Sequence, residues 1–444
     1  MLLTQAETEE LGRRVLALSN AEGCTVWLEG HETDNFRFAS RGGATNGTTG
    51  GTRLTVTSTF QQRQGRATTN LLDEAALRDV VTRSEAAARS ARENVEVMPP
   101  LGPQNYGTSA AYFEATAALQ GGALASLLDP AVVSAKRAGL DLAAFVQAGR
   151  WWRAFATSGG AVGYDRATGI QLTVSARNAR STWSGWAGSH QNDASRLDIT
   201  ALGRSAIEKA SAESDPVAIE PGKYVVLLEP PVVGQMIAQM MGHFGARSAD
   251  EGRSFLARKG GGNRLGERLF DERIDIASDP ADSVAPGFAL GNDGLPNRPV
   301  AWVQGGVVKN LIWSRYWAKK NGVEPIAYPR FFFMRGGSDS IVDMIRDVKR
   351  GVLVTRLWYV RMVDPRPLLL TGLTRDGTFL IENGAVTRPI ANFRFNESPL
   401  AVLKNILAIG PSQRTYFAEA GGTAISVPPL LVKDFTFSSV APGI

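Results

Sequence analysis

The stretch Lys223–Phe244, KYVVLLEPPVVGQMIAQMMGHF, constrains the fold more than any other part of the chain. Tyr224 to Leu228 is a short apolar run rich in β-branched residues, the pattern of a buried strand. Glu229-Pro230-Pro231 stops it, because proline lacks the amide donor a ladder needs and disfavours helix in the residue before it. A helix pattern then begins. Val232, Met236, Met240 and Phe244 recur every four residues, with Val233, Ile237 and Met241 beside them, which makes a wide apolar face. Two narrower rows run along the same helix. Gly234, Ala238 and Gly242 form a small-residue row that lets another backbone approach closely. Gln235, Gln239 and His243 form a polar row lining the gap.

Around that stretch the expected fold class is α+β, with N-terminal α/β modules followed by a largely β C-terminal domain that carries the helix. Thr4-Gln5-Ala6-Glu7 has the capping-box form, and Leu11, Val15 and Leu18 follow at helical spacing. Gly23 closes that helix. Cys24–Leu28, Asn35–Ser40, Arg53–Thr59 and Gly65–Thr69 read as strands, and Asp73–Arg92 as an alanine-rich helix. Met98-Pro99-Pro100-Leu101-Gly102-Pro103 has the composition of a linker. Beyond it, Asp129-Pro130 suits an N-cap and first helical residue, with Gly139 as the stop. Leu142–Ala148, Trp151–Thr157 and Ile170–Ala176 read as strands, with Gly159-Gly160 and Arg166-Ala167-Thr168-Gly169 as the turns between them. Ile199, Leu202, Ala206, Ile207 and Ala210 make an amphipathic helix that ends before Asp215-Pro216. These signals divide the 444 residues into modules at 1–98 and 104–220 and a C-terminal domain at 221–444.

Composition excludes several classes. One cysteine, Cys24, leaves no internal disulfide framework and fits a reducing compartment. Its place after a helix-closing glycine, at the start of an apolar strand, points to a buried free thiol. A net charge of +5, with no lysine or arginine run longer than two, permits nucleic-acid binding but does not argue for it. The opening MLLTQAETEE lacks a basic region followed by an apolar core, so it does not read as a secretory signal. Glu229, two prolines and two glutamines argue against Tyr224–Phe244 as a membrane span. The expectation is a soluble, cytoplasmic protein.

Three histidines, His31, His190 and His243, stand far apart, and no pair has helix or hairpin spacing. Zinc catalytic sites usually take three protein ligands, so each histidine reads as structural and no metal site is expected. Basic and aromatic residues interleave at Arg315–Lys320, Tyr328–Arg335 and Arg356–Arg361. Such patches can stack and neutralise a nucleic acid. They read here as strands with buried aromatics and solvated arginines. Lys259-Gly260-Gly261-Gly262-Asn263 is followed by no GK[ST], so it reads as a flexible hairpin rather than a phosphate loop.

Ala238-Gln239-Met240-Met241-Gly242-His243 resembles a worn copy of the HExxxH helix of the TldD/TldE (PmbA) metallopeptidase family. In that family's catalytic members the helix supplies two zinc-ligand histidines and a glutamate general base. Here only Gly242 and His243 match. Ala238 stands where the first histidine would be, and Gln239 where the glutamate would be. Alanine cannot ligate a metal, and glutamine cannot take a proton from a metal-bound water. Residues five apart also lie about 140° apart on a regular helix, so even an intact motif needs local distortion or a third ligand. The resemblance continues through Ile274–Pro280, Asp293-Gly294-Leu295-Pro296, Pro329-Arg330, Thr371-Gly372 and Ile381-Glu382-Asn383-Gly384. It is clear from about residue 220 onward and looser before. Ala418–Ala424 lacks the cysteine that catalytic members place near the C-terminus, and Arg356–Leu370 departs from the family pattern.

The resemblance implies a non-catalytic TldE/PmbA-like subunit. Its expected partner is a TldD-type zinc peptidase acting on unfolded peptides, the zinc being held by that partner. Ala238, Gln239, Gly242 and His243 would then line the substrate cavity, and a homodimer is expected when the chain is alone. The alternatives are a stand-alone peptide- or nucleic-acid-binding protein and a metallopeptidase with unrecognised ligands.

Overall fold

A computed structural model describes residues 2–178, 183–211, 215–417 and 424–441. Alternating apolar residues build the first layer. Strands β1 (Gly23–Ala39), β2 (Gly43–Phe60), β3 (Arg63–Thr69), β4 (Asp141–Thr157), β5 (Val162–Arg177) and β6 (Ser184–Gln191) form one antiparallel sheet in the order β3-β2-β1-β4-β5-β6. Val26, Leu28, Leu54, Val56 and Ala154 bury one face under the helices Gln5–Leu18 and Glu74–Ser90. Further along, Val146, Ala148, Ile170, Leu172 and Val174 continue that face under Asp129–Arg137 and Ile199–Ala210. All four helices therefore cover the same side. The capping box forms as expected, with Thr4 and Glu7 each accepting from the other's backbone amide.

The sheet does not break at the Met98–Pro103 linker. β1 pairs with β4 from Thr25↔Thr157 to Ala39↔Ala143, so the stretches 1–98 and 104–220 share one layer. The Gly/Thr-rich Gly42–Thr52 stretch supplies the outer half of β2, and Leu142–Thr157 is one strand rather than two. Arg166–Gly169, expected as a turn, lies inside β5. Gly169 is there for close approach: a Cβ would sit 2.9 Å from His190 Nε2 and 3.2 Å from the Trp151 ring. Gly159-Gly160 does turn the chain, with Gly160 at φ +96°. Cys24 is buried, and burial pushes its thiol up to about 11.

The C-terminal half is largely β. One sheet runs β10 (Val307–Val308), β9 (Val300–Gln304), β8 (Ile276–Ser278), β11 (Phe331–Met334), β18 (Ala424–Val427), β17 (Gln413–Thr415). In the other, β12 (Arg350–Asp364), β7 (Gly222–Leu228), β19 (Leu430–Val440), β15 (Phe393–Glu397) and β13 (Leu369–Glu382) pair in sequence, and β13 pairs back to β12. That ring closes, which removes free edges. β14 (Ala385–Pro389) attaches to β13 and β16 (Ile406–Ile409) to β19. Val226, Leu227 and Leu228 of β7 are fully buried, as the apolar run requires.

The helix Pro230–Met241 follows with both prolines in its first turn, where no amide donor is needed. Val232, Met236, Met240 and Phe244 join Trp302, Phe332 and Phe395 in one core. The small-residue row meets β17 and β18, since a Cβ on Gly234 would lie 3.0 Å from Thr415 and 3.4 Å from Ile425. Glu229 ties this helix to the first half of the chain through Lys209, at 2.7 Å. Among the described residues no helix is long and apolar enough to cross a membrane.

The three basic-aromatic stretches differ from the strand expectation in part. Arg315–Asn321 is a helix, capped by Ser314 and closed by Gly322 at φ +67°. Trp317 is buried in it, with Lys320 and Arg247 against its ring and its indole N–H on Asp250. Phe331–Met334 and Arg350–Asp364 are strands. Arg356 stacks on Trp186 and pairs with Asp376 rather than facing solvent. Lys259–Asn263 forms an exposed hairpin, with Arg258 donating to the Gly262 carbonyl and positive φ at all three glycines.

Candidate functional site

The helix-free face of the N-terminal sheet is polar where the other face is apolar. Register decides which side chains share it. Glu29 stands opposite Arg53 on β2 and Arg153 on β4, and His31 opposite Gly51 and Trp151. Gln147 stands opposite Gln171, and Gln171 opposite His190 on β6. The C-terminal half lies over this face and leaves a cleft of about 890 Å3 between the two. That volume falls at the large end of the ~300–1,000 Å3 typical of ligand sites.

The roof is the segment 286–297, and buried bonds fix it. Asp165 on β5 accepts the amides of Ala289 and Leu290. Burial raises the Asp165 carboxyl, and those amides and Arg153 oppose the rise. Arg153 donates to the Leu290 carbonyl at 3.0 Å and Asn292 Oδ1 at 2.9 Å, and stacks over Phe288. Gly294, at φ +80°, lies against Phe155, where a Cβ would come within 2.3 Å of the ring. Only glycine suits both demands. Tyr106 closes the contact by donating to the Gly294 carbonyl at 2.6 Å.

The end wall is built by β17 and the residue after it. Arg414 Nε donates to the His190 carbonyl at 3.0 Å, and Nη2 meets His190 Nδ1 at 2.8 Å and Asn192 Oδ1 at 3.2 Å. A guanidinium can only donate, so His190 Nδ1 accepts and Nε2 carries the proton. Burial, and secondarily Arg414, push His190 down to about 3, so the ring is neutral at ordinary pH. Arg414 is itself buried and pushed down to about 10, and its Nη1 has no partner among the described residues. Asn192 is held by the Thr168 carbonyl at 2.9 Å. Tyr416 then lines the cleft, while Thr415 between it and Arg414 faces Gly234 of the Pro230–Met241 helix. One short strand thus separates helix from cleft.

Ala238, Gln239, Gly242 and His243 do not line this cleft. Ala238 packs half-buried against the core, and Gln239 is half-buried beside it. Gly242 is the exposed C-cap. His243 lies past the helix end, because the bonding tightens there: the His243 amide reaches Met240 and the Phe244 amide reaches Met241, three residues back. His243 is half-buried, and burial lowers its imidazole. Among the described residues no three His, Cys, Asp or Glu side chains gather in a way that could hold a metal ion. The donor set beside Ala238 therefore does not fit a zinc ion. The cysteine-free stretch at 418–423 lies outside the described residues.

His31 and His190, far apart in sequence, come to the same cleft. Trp151 and Arg414 had no motif to announce them, whereas Asp293-Gly294-Leu295-Pro296 of the roof and Pro329-Arg330 were singled out in the sequence. The available signal was the strand period itself: Glu29 and His31 alternate with the apolar Val26, Leu28 and Gly30 side, which marks a second, polar face on a long strand.

The PmbA/TldA metallopeptidase C-terminal domain profile matches residues 221–439. A metalloprotease of Methanothermobacter thermautotrophicus is 26% identical over 253 residues, covering 52% of this chain and 53% of that protein. A metalloprotease of Methanocaldococcus jannaschii is 23% identical over 223 residues, covering 47% and 48%. The match thus spans about half the length of these curated relatives. Among solved structures, TldE from Thermococcus kodakarensis superposes with a TM-score of 0.85 at 15% identity, covering 97% of this chain and 100% of that one. A Bacteroides thetaiotaomicron protein described as a candidate DNA gyrase modulator gives 0.83 at 18%, covering 99% and 100%. At those identities the likeness is one of fold.

Proposed function

The chain belongs to the PmbA/TldD metallopeptidase family through residues 221–439, and from that premise we propose that it is the non-catalytic, TldE-like subunit of a two-chain zinc peptidase. One observation carries this reading. The helix that supplies ligands and base in catalytic members carries Ala238 and Gln239 here, and its surviving His243 lies off the helix end. A single imidazole lacks the chelating partners that make a zinc site tight. The polar cleft on the N-terminal sheet supports a second part of the role, which is to hold unfolded peptide for the partner. A long exposed β2 edge beside it, Gly43–Gly51, offers backbone groups that an extended peptide can pair with.

The test is reconstitution. The chain is co-expressed with a TldD-type protein that has an intact HExxxH, and the pair is purified through a tag on one chain. The expected result is a stable complex that cleaves unfolded peptide, with zinc in the partner and no activity in this chain alone. A monomer that ignores the partner, or peptidase activity in this chain alone, overturns the reading.

A further inference from the structure

The cleft holds more positive charge than its own contacts use. Arg153 is spent on the roof, through Leu290, Asn292 and Phe288. Arg53 and Arg330 also line the cleft, and among the described residues neither has a carboxylate within ion-pair distance. Both are exposed there. Cross-strand register sets Glu29 between Arg53 and Arg153. Adjacent strands are about 4.8 Å apart, so the two arginines start about 10 Å from one another. Arg330 reaches the same end, close enough to act on Arg153 electrostatically, as Glu29 does. Three guanidiniums against two carboxylates, Glu29 and the buried Asp165, still leave this end net positive.

The floor beside it is shaped for an apolar group. Trp151 lies across Gly149 and Gly169, where Cβ atoms would come within 2.8 and 3.2 Å of its ring. At the far end His190 presents a neutral Nε2–H, fixed in that tautomer by Arg414. A cationic end, an indole floor and a neutral donor suit an extended peptide carrying a carboxylate.

We propose that the cleft reads a carboxylate on its peptide. Arg53 and Arg330 take the carboxylate, Trp151 carries the adjoining apolar side chain, and His190 Nε2–H donates to a peptide carbonyl. The proposal rests on the peptide-holding role argued above and adds a charge preference to it. The carboxylate can be a chain terminus or an Asp or Glu side chain.

Fluorescence anisotropy with the full chain tests it, using labelled octapeptides of one apolar-rich sequence. One has a C-terminal carboxylate, one is amidated, and a further pair carries internal Glu or Gln. The expected result is about two- to fivefold tighter binding for a carboxylate form over its neutral counterpart, as an ion pair to exposed guanidiniums gives. Which pair shows the difference identifies terminus or side chain. In Arg53→Ala/Arg330→Ala the preference should vanish, in Arg53→Lys/Arg330→Lys it should partly return, and in Glu29→Gln it should grow. Thermal melts confirm that each variant is folded. Equal binding of charged and neutral peptides overturns the proposal and leaves peptide holding intact. No binding of any peptide overturns both. A preference that persists in the double alanine variant also overturns it.

Discussion

The Pro230–Met241 helix and the cleft lie on opposite sides of β17, and they have opposite chemistry. The helix carries Ala238 and Gln239, His243 lies past its end, and its long face is core. The cleft gathers Arg53, His31, His190 and Trp151 around open space. The cleft is framed by buried polar bonds at Asp165, Arg153 and Arg414. The comparison teaches that the most patterned stretch of the sequence can be core while an open polar cleft is assembled from residues far apart in the chain.

The sharpest way to break this contrast is to truncate one large side chain on the helix side. Phe244→Ala should cost about 3–5 kcal/mol of unfolding free energy, because Phe244 is fully buried against Phe255 and Trp302. Arg330→Ala on the cleft side should stay within about 0.5 kcal/mol. Urea titrations followed by tryptophan fluorescence compare the two. Equal losses would mean that the cleft is as structural as the helix.

A smaller effect belongs to the end wall. His190→Ala leaves Arg414 Nη2 short of an acceptor in a buried place, at about 1–3 kcal/mol, while His190→Asn keeps an acceptor and should recover much of it. A melt in which both variants behave alike would remove Arg414 from the account.

The same pair predicts a pH dependence. His190 is held down to about 3 in the folded chain, against 6.5 for an ordinary imidazole. The unfolded chain therefore binds the extra proton first as acid is added. Stability from neutral His190 is complete above about 6.5 and is lost as pH falls toward about 3. His190→Asn should flatten that part of the stability-versus-pH curve. An unchanged slope would show that carboxylates elsewhere set it.

Much of the fold was legible. The Thr4 cap, the β7 run, the proline stop and the start of the helix after it rest on local rules and formed where those rules place them, while that helix ends at Met241, before His243 and Phe244. The joining of 1–98 and 104–220 into one sheet was not legible, because strand pairing across a linker depends on long-range register. Gly169 misled for a definite reason: glycine marks turns and close approaches alike, and the Trp151 ring that needs the space is supplied by another strand. The Arg315–Asn321 helix was missed because its aromatic content suggested strand, while its Ser314 and Gly322 caps pointed the other way. The site was the least legible part. His31, His190 and Arg414 stand at positions that only the three-dimensional pairing brings together.

The smallest expected change, and the most direct test of the helix as packing rather than metal site, is the zinc content of the purified chain. Elemental analysis is made on the wild type, on His243→Ala and on Ala238→His/Gln239→Glu. The account predicts only trace zinc in all three. One imidazole cannot hold the ion, and the restored pair lacks both a third ligand and the surrounding hydrogen bonds that orient a new histidine. One equivalent of tightly held zinc in the wild type, lost in His243→Ala together with peptidase activity, would contradict it.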